Sequence, residues 1–420
     1  MAGPEKPVTE NPSETALSTP AVAASDARAG RISKTIGYYV AFVALGLTGA
    51  ILGPTLPGLA AHTQSHLREI SFLFTATSLG YLTGSLTGGR LYDRVPGHPV
   101  MAIALAGIAV VLVLVPIVPV LWLLTIVLFL LGMAQGALDV GGNTLLVWVH
   151  DHEVGPFMQG LHFFWGVGAF LAPIIIAQVV LRSGDITWAY WTLALLIFPA
   201  ALWMLRLPSP PPQTLSKEDV QAGQVRYLQI TLVALFLFLG VGAEVSFGGW
   251  MFSYAVKMGL SNETVAAYLT SAFWGALTAG RLLAIPIAAR VRPCYILLCD
   301  VLGCLAGVVI ILIWPHSLTA AWLGALCMGA AMASIFPTTI SLAGRHMTIT
   351  GQATSLFFVG ASSGGMVLPW LIGQLFEAVG PRVVMLAIAV NMLVAIGVFF
   401  ALIAQFSRPV TERVAEKGRE

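Results

Sequence analysis

Apolar runs of about 20 residues or more recur twelve times along this chain, and a run of that length crosses the hydrocarbon core of a bilayer as a helix. No water is present there to serve backbone N–H and C=O groups, so the backbone must bond to itself. The constraint selects an all-α membrane protein. Composition agrees: 57% of the 420 residues are hydrophobic and 10% are charged, a balance foreign to water-soluble domains. Glycine reaches 43 residues, as expected where membrane helices pack through small side chains. The spans are placed at 35–58, 70–92, 98–118, 120–148, 155–181, 186–206, 227–255, 263–288, 294–314, 317–343, 351–376 and 381–406.

The longest internal polar stretch carries Pro208, Pro210, Pro211 and Pro212, then Lys217, Glu218 and Asp219. It divides the spans six and six, which marks a linker. The expected organisation is a disordered cytoplasmic tail over 1–34, a six-helix half over 35–206, a cytoplasmic linker over 207–226, a second half over 227–406 and a cytoplasmic tail over 407–420. The first tail is rich in Pro, Ser, Thr and Ala without an apolar run, and has no signal-peptide pattern. Seventeen of the 21 Lys and Arg fall on one side of this topology; Arg68, Arg182, Lys257 and Arg382 lie opposite. The positive-inside rule then places both termini in the cytoplasm of a multi-pass inner or plasma membrane protein. Cys294, Cys299, Cys304 and Cys327 all fall in apolar spans and read as packing residues, not as a disulfide or metal set.

The halves resemble each other. Ser85-Leu-Thr-Gly-Gly-Arg-Leu91 matches Ala276-Leu-Thr-Ala-Gly-Arg-Leu282, which makes Arg281 the counterpart of Arg90. The stretch from Phe163 to Pro173 is echoed from Phe357 to Pro369. Gly49-Ala50 aligns with Gly242-Ala243, which sets Ile51 against Glu244. Two pseudo-symmetric six-helix halves in parallel duplication are the plan of a secondary transporter, with the solute site between repeats.

Asp139 lies inside the fourth span, where a carboxylate costs at least about 2.5 kcal/mol to insert. Gln135 and Asn143 sit four residues to either side and share its helix face. Intramembrane acids of this kind serve an ion, a proton or a polar solute; the bland alternative is a structural hydrogen bond to a neighbouring helix.

Several segments resemble the major facilitator superfamily. Gly89-Arg-Leu-Tyr-Asp93-Arg94 resembles its cytoplasmic motif between the second and third spans, with Pro96, Gly97 and His98 where basic residues usually follow. Leu138-Asp139-Val-Gly-Gly-Asn143-Thr is similar to the fourth span of the fucose–proton symporter and of the sodium-dependent glucose transporter-like family. Met158-Gln159-Gly-Leu-His162-Phe-Phe and Val241-Gly-Ala-Glu244-Val also look like the latter. The resemblance implies the major facilitator fold and cation-coupled symport of a sugar or similar polar solute by alternating access. It departs in the first span, which lacks the acid that the fucose symporter has there.

The expected site combines Asp139, Asn143, Gln159 and His162, brought to one depth by antiparallel neighbouring spans, with Asp139 some 14 Å and His162 ~11 Å from the cytoplasmic end. Glu244 is expected across the interface, in a helix that could break at Gly248-Gly249. Asp139 and Glu244 are the candidates for coupling, to a proton or to sodium. Trp165, Trp250, Phe273 and Trp274 are candidate walls, since sugar rings present apolar faces to aromatics; their bland alternative is core packing. Arg90, Asp93, Arg94 and Arg281 are candidate gating charges that latch in one conformation, or residues that only fix orientation. No cofactor, metal or nucleic acid is expected, and the chain is read as a monomer whose partners are the bilayer and a small polar solute. A proton-driven exporter is the alternative. Its Gly-Pro signature in the fifth span is absent, since Gly155-Pro156 stands at the start of that span. A receptor would need longer tails. No nucleotide loop or nucleophile–base pair supports an enzyme.

Overall fold

The computed structural model describes residues 20–150, 153–211, 227–347 and 351–407. Fifteen α-helices account for most of them. The first span is broken: α1 (Pro20–Gly49) and α2 (Leu52–His62) meet at an angle of 48°. Pro54, in the first turn of α2, has no N–H to return to the carbonyl of Ala50, so the helix must stop and restart. A short α3 (Leu67–Ile70) leads into α4 (Phe72–Tyr92), followed by α5 (Gly97–Leu114), α6 (Leu121–His150), α7 (Val154–Ser183) and α8 (Ile186–Arg206). The second set runs α9 (Tyr227–Lys257), α10 (Glu263–Ala288), α11 (Pro293–Ile313), α12 (Leu318–Met332), α13 (Ile335–His346), α14 (Gly351–Val379) and α15 (Val383–Ser407). Here α12 and α13 form one span with a lapse at 333–334, ahead of Pro337.

Among the described residues ten spans are long and apolar enough to cross a membrane, or eleven if the bent α1–α2 pair is one span. Helix α4 has 21 residues, about 32 Å, but is too rich in Gly, Ser and Thr to read as apolar. It takes the second-span position because its small residues face helices, not lipid. Helix α1 begins at Pro20, inside the tail expected to lack structure; Ala21, Ala23, Ala24, Ala27 and Ala29 favour the helix. Residues 1–19 of that tail, 212–226 of the linker and 408–420 lie outside the described residues.

Packing within each half repeats. A Cβ on Gly168 of α7 would lie 2.1 Å from the carbonyl O of Val43 in α1, and one on Gly364 of α14 would lie 1.9 Å from that of Phe238 in α9. A Cβ on Gly132 of α6 would meet the carbonyl O of Thr77 in α4 at 2.0 Å, and one on Gly329 of α12 that of Phe273 in α10 at 2.2 Å. Backbones touch at these points, which supplies the van der Waals contact that holds helices together in lipid. The steps from Gly168 to Gly364 and from Gly132 to Gly329 are 196 and 197 residues.

This contact register corrects the sequence alignment. Val43 pairs with Phe238, so Glu244 falls opposite Gly49, not Ile51. In α4 and α10, Gly84 packs on Met133 and Gly280 packs on Ala330. Arg281 is therefore the counterpart of Ser85, not of Arg90. Similar side chains in the two segments drew the alignment off by five positions. Filling one of these contacts should be costly. Gly132→Val is expected to destabilise by about 1–3 kcal/mol through overpacking, read as a fall in thermal midpoint of the detergent-purified protein; an unchanged midpoint would contradict the tight α4–α6 contact.

Candidate functional site

Helix α6 presents Asp139 to α4, because glycines on both helices bring the backbones together. There the Tyr81 hydroxyl donates to Asp139 Oδ2 at 2.7 Å. The Asn143 amide donates to Asp139 Oδ1 at 3.2 Å and to the Asp139 carbonyl at 2.9 Å. Asp139 is thus a carboxylate with a donor on each oxygen and no basic partner among the described residues. Tyr81 escaped the sequence reading. The available signal was the glycine spacing: Gly80, Gly84 and Gly88 face Gly132 and Gly136, the pattern of close helix pairs. Gln135 is buried on the same face of α6.

The expected cluster is only partly assembled. His162 and Gln159 on α7 make no hydrogen bond to Asp139 or Asn143. The His162 ring instead meets Phe42 edge-on at 5.9 Å. Phe42, fully buried on α1, also fills the space beside Gly142 of α6. Chain order suggests that consecutive spans lie side by side, but α6 packs mainly on α4, and α7 packs on α1 and α10. Phe42 therefore stands between the two pairs. Gln159 is exposed near the start of α7.

A second group forms where α7 meets α10. The Trp165 and Trp274 rings stand edge to face at 5.6 Å, and the Arg281 guanidinium lies 5.0 Å over the Trp165 ring. That is within the range of a cation–π contact. Arg281 and Glu244 of α9 attract each other without a direct salt bridge, and the same positive charge reaches His162. Arg281 was expected at the rim with Arg90; it lies about 10 Å deeper, two turns inside the end of α10. The Trp274 indole N–H is buried without a hydrogen-bond partner.

Two expectations fail here. Trp250 is fully buried; its indole N–H donates to the Pro369 carbonyl at 3.0 Å, and its ring packs on Phe376 and Phe74. It has no face left for a solute and serves as packing. Phe273 is likewise fully buried, against Phe247 and Trp274. Nor does α9 break at Gly248-Gly249; it runs unbroken from Tyr227 to Lys257. Those glycines admit neighbours: a Cβ on Gly248 would lie 2.4 Å from Trp274, and one on Gly249 2.6 Å from Phe74.

The two rims differ. Arg90, Asp93 and Arg94 are exposed and make no ion pair with one another. At the opposite rim, α3 is tied to the end of α14, a set the sequence reading missed. The Leu67 N–H donates to Glu377 Oε1 at 2.9 Å, Arg68 Nε donates to Gln374 Oε1 at 2.9 Å, and Gln374 Nε2 donates to the Arg68 carbonyl at 2.9 Å and to Ser71 Oγ at 3.2 Å. His66 lies 3.7 Å from Glu377. Deeper in the interface, the Ser271 hydroxyl donates to the Phe170 carbonyl at 2.9 Å, and Gln178 bonds Tyr268.

The sequence profile of the Major Facilitator Superfamily matches residues 38–369. The chain belongs to the major facilitator superfamily. It is similar to sodium-dependent glucose transporter 1 of Xenopus laevis, with 33% identity over 78% of this chain and 72% of that protein. The human protein of the same name is 29% identical over 90% and 80%. Major facilitator superfamily domain-containing protein 4A of Pongo abelii is 27% identical over 83% and 87%. A crystal structure of a mutant of the nucleoside transporter NupG superposes with a TM-score of 0.71 at 14% identity, covering 90% of this chain and all of that one. The fold is the major facilitator fold, and the protein is a multi-pass membrane transporter of a small solute, not an enzyme.

The tied rim makes a direct prediction. In a cysteine-free background, Thr75→Cys should react faster with a membrane-impermeant thiol reagent once Gln374 and Glu377 are both replaced by Ala. The expected gain is about fivefold, the population shift given by losing roughly 1 kcal/mol of contact. Unchanged labelling would mean that these bonds do not hold the rim shut.

Proposed function

We propose that this chain is a cation-coupled symporter of a sugar or a similar polyhydroxylated solute, working by alternating access. The observation that carries the reading is Asp139, an acid at membrane depth whose two oxygens accept from Tyr81 and Asn143 while no basic side chain among the described residues pairs it. Such a group holds a negative charge ready for a cation. The name of the relatives, sodium-dependent glucose transporter 1, supports sodium as that cation and a sugar as the solute.

Solute contacts come from Asn143, His162, Gln159 and Trp165 on one side of the interface and from Trp274, Arg281 and Glu244 on the other. The half-buried Trp165 ring offers an apolar face, and the Arg281 fork above it offers donors. The tied rim at α3 and α14, with exposed charges at the other, corresponds to a carrier open toward the side of Arg90, Asp93 and Arg94. The excess of Lys and Arg on that side supports a cytoplasmic position for it, and the three charges would latch that rim in the opposite state.

A thermal-shift panel on detergent-purified protein tests the solute class. D-glucose and related sugars should raise the unfolding midpoint, more so with sodium present; a ligand at one hundred times its Kd adds about 2.7 kcal/mol. A panel in which drugs stabilise and no sugar does would replace this reading with the exporter.

A further inference from the structure

The C-terminal half holds a second intramembrane acid. Asp300 lies about two turns inside α11, half-buried, and accepts a hydrogen bond from the Ser334 hydroxyl at 2.5 Å. Ser334 sits in the lapse between α12 and α13, so the acid meets the one place where that span's helical bonding is interrupted.

Three helices converge on this level. A Cβ on Gly280 of α10 would lie 2.7 Å from the Cβ of Ala333 and 2.9 Å from the carbonyl O of Ala330, which sets α10 directly against the lapse. The next residue of α10 is Arg281. From α9, Gly240 packs on Ile335, and Glu244 stands one turn further along. Cys304, a turn beyond Asp300 on α11, is fully buried and lies within electrostatic reach of both Asp300 and Glu244.

Charge balance then separates the two acids. Arg281 stays protonated in any protein environment, and its pull falls on Glu244. No basic side chain acts on Asp300 among the described residues; its partner is the Ser334 hydroxyl. One guanidinium can offset one carboxylate, and an ionised acid left over within a membrane span is costly unless a cation joins it. A carboxylate and one hydroxyl present too few oxygens for a hard metal cation, which takes about six ligands. A proton needs one.

We propose that Asp300, positioned by Ser334, is the proton-binding group of the C-terminal half, loading and releasing a proton as the carrier changes state, while Glu244 serves as the counter-ion of Arg281. This rests on the transporter reading but not on the identity of its solute. The other titratable or charged groups on the packed elements are Tyr227, Glu244, Tyr254 and Lys257 on α9, Glu263, Tyr268 and Arg281 on α10, Cys294, Tyr295, Cys299 and Cys304 on α11, Cys327 on α12, and Arg345 and His346 at the far end of α13; α15 carries none.

The test needs no solute. The unfolding midpoint of purified wild type in sodium-free buffer should step across a pH series, and Asp300→Asn should remove that step while Asn still accepts from Ser334. Ser334→Ala, which keeps the carboxylate, should move the step without abolishing it; it also serves if Asp300→Asn folds poorly. Glu244→Gln should keep the step. An Asp300→Asn profile parallel to wild type and merely lower, or a step lost in Glu244→Gln instead, would overturn the assignment. In proteoliposomes, D-glucose exchange by wild type should vary with pH, and Asp300→Asn should flatten that dependence. Exchange with an intact pH profile in the variant would count against Asp300, whereas no glucose exchange by wild type would count against the sugar reading alone.

Discussion

Contact between backbones, glycine against carbonyl, sets the geometry around Asp139. Helices in lipid gain nothing by hiding apolar surface from one another, so close packing must hold them. Gly80, Gly84, Gly132 and Gly136 let α4 and α6 touch over about two turns. That approach brings the Tyr81 hydroxyl within 2.7 Å of the Asp139 carboxylate. Without the glycines the acid would have no donor from its neighbour, and its charge would be far more costly to keep at this depth.

The same device repeated in the other half has a different outcome. At the place of Tyr81 the second repeat has Leu277, and at the place of Ser85 it has Arg281. One half therefore holds a carboxylate among hydroxyl and amide donors, and the other holds a guanidinium that reaches across the interface to Trp165 and back to Glu244. A duplicated scaffold has been given unlike charges, which is what a carrier needs if solute and cation are to be held between its halves. The tied rim at α3 and α14 and the Ser271–Phe170 bond below it close the interface from one side.

The fold was legible because the bilayer imposes it. Span positions follow from hydropathy, and even α4, too polar to register as apolar, is bracketed by polar turns. The breaks were not legible, because Pro54 and Pro337 are tolerated in some membrane helices and interrupt others. The site was legible as single residues and not as a constellation. Asp139 and Asn143 lie on one helix, where a spacing of four suffices to pair them. Tyr81, His162 and Arg281 depend on which helices are neighbours, and chain order misled there: α6 lies mainly against α4, and Phe42 of α1 stands between Gly142 and His162. Trp250 read as a site residue by type, yet its N–H is spent on Pro369. Asp300 escaped attention because it stands alone among apolar residues, with a partner supplied by a span outside its local sequence.

The central claim is that the charge on Asp139 links solute movement to a cation. It is tested most directly by comparing net accumulation with exchange in proteoliposomes containing wild type or Asp139→Asn. Under an imposed sodium or proton gradient, wild type should concentrate D-glucose, about tenfold for each tenfold gradient of one coupled cation. Asp139→Asn, which keeps the shape and the Tyr81 partner but loses the charge, should still exchange internal for external glucose and should accumulate none. Accumulation by Asp139→Asn at the wild-type level would contradict the account.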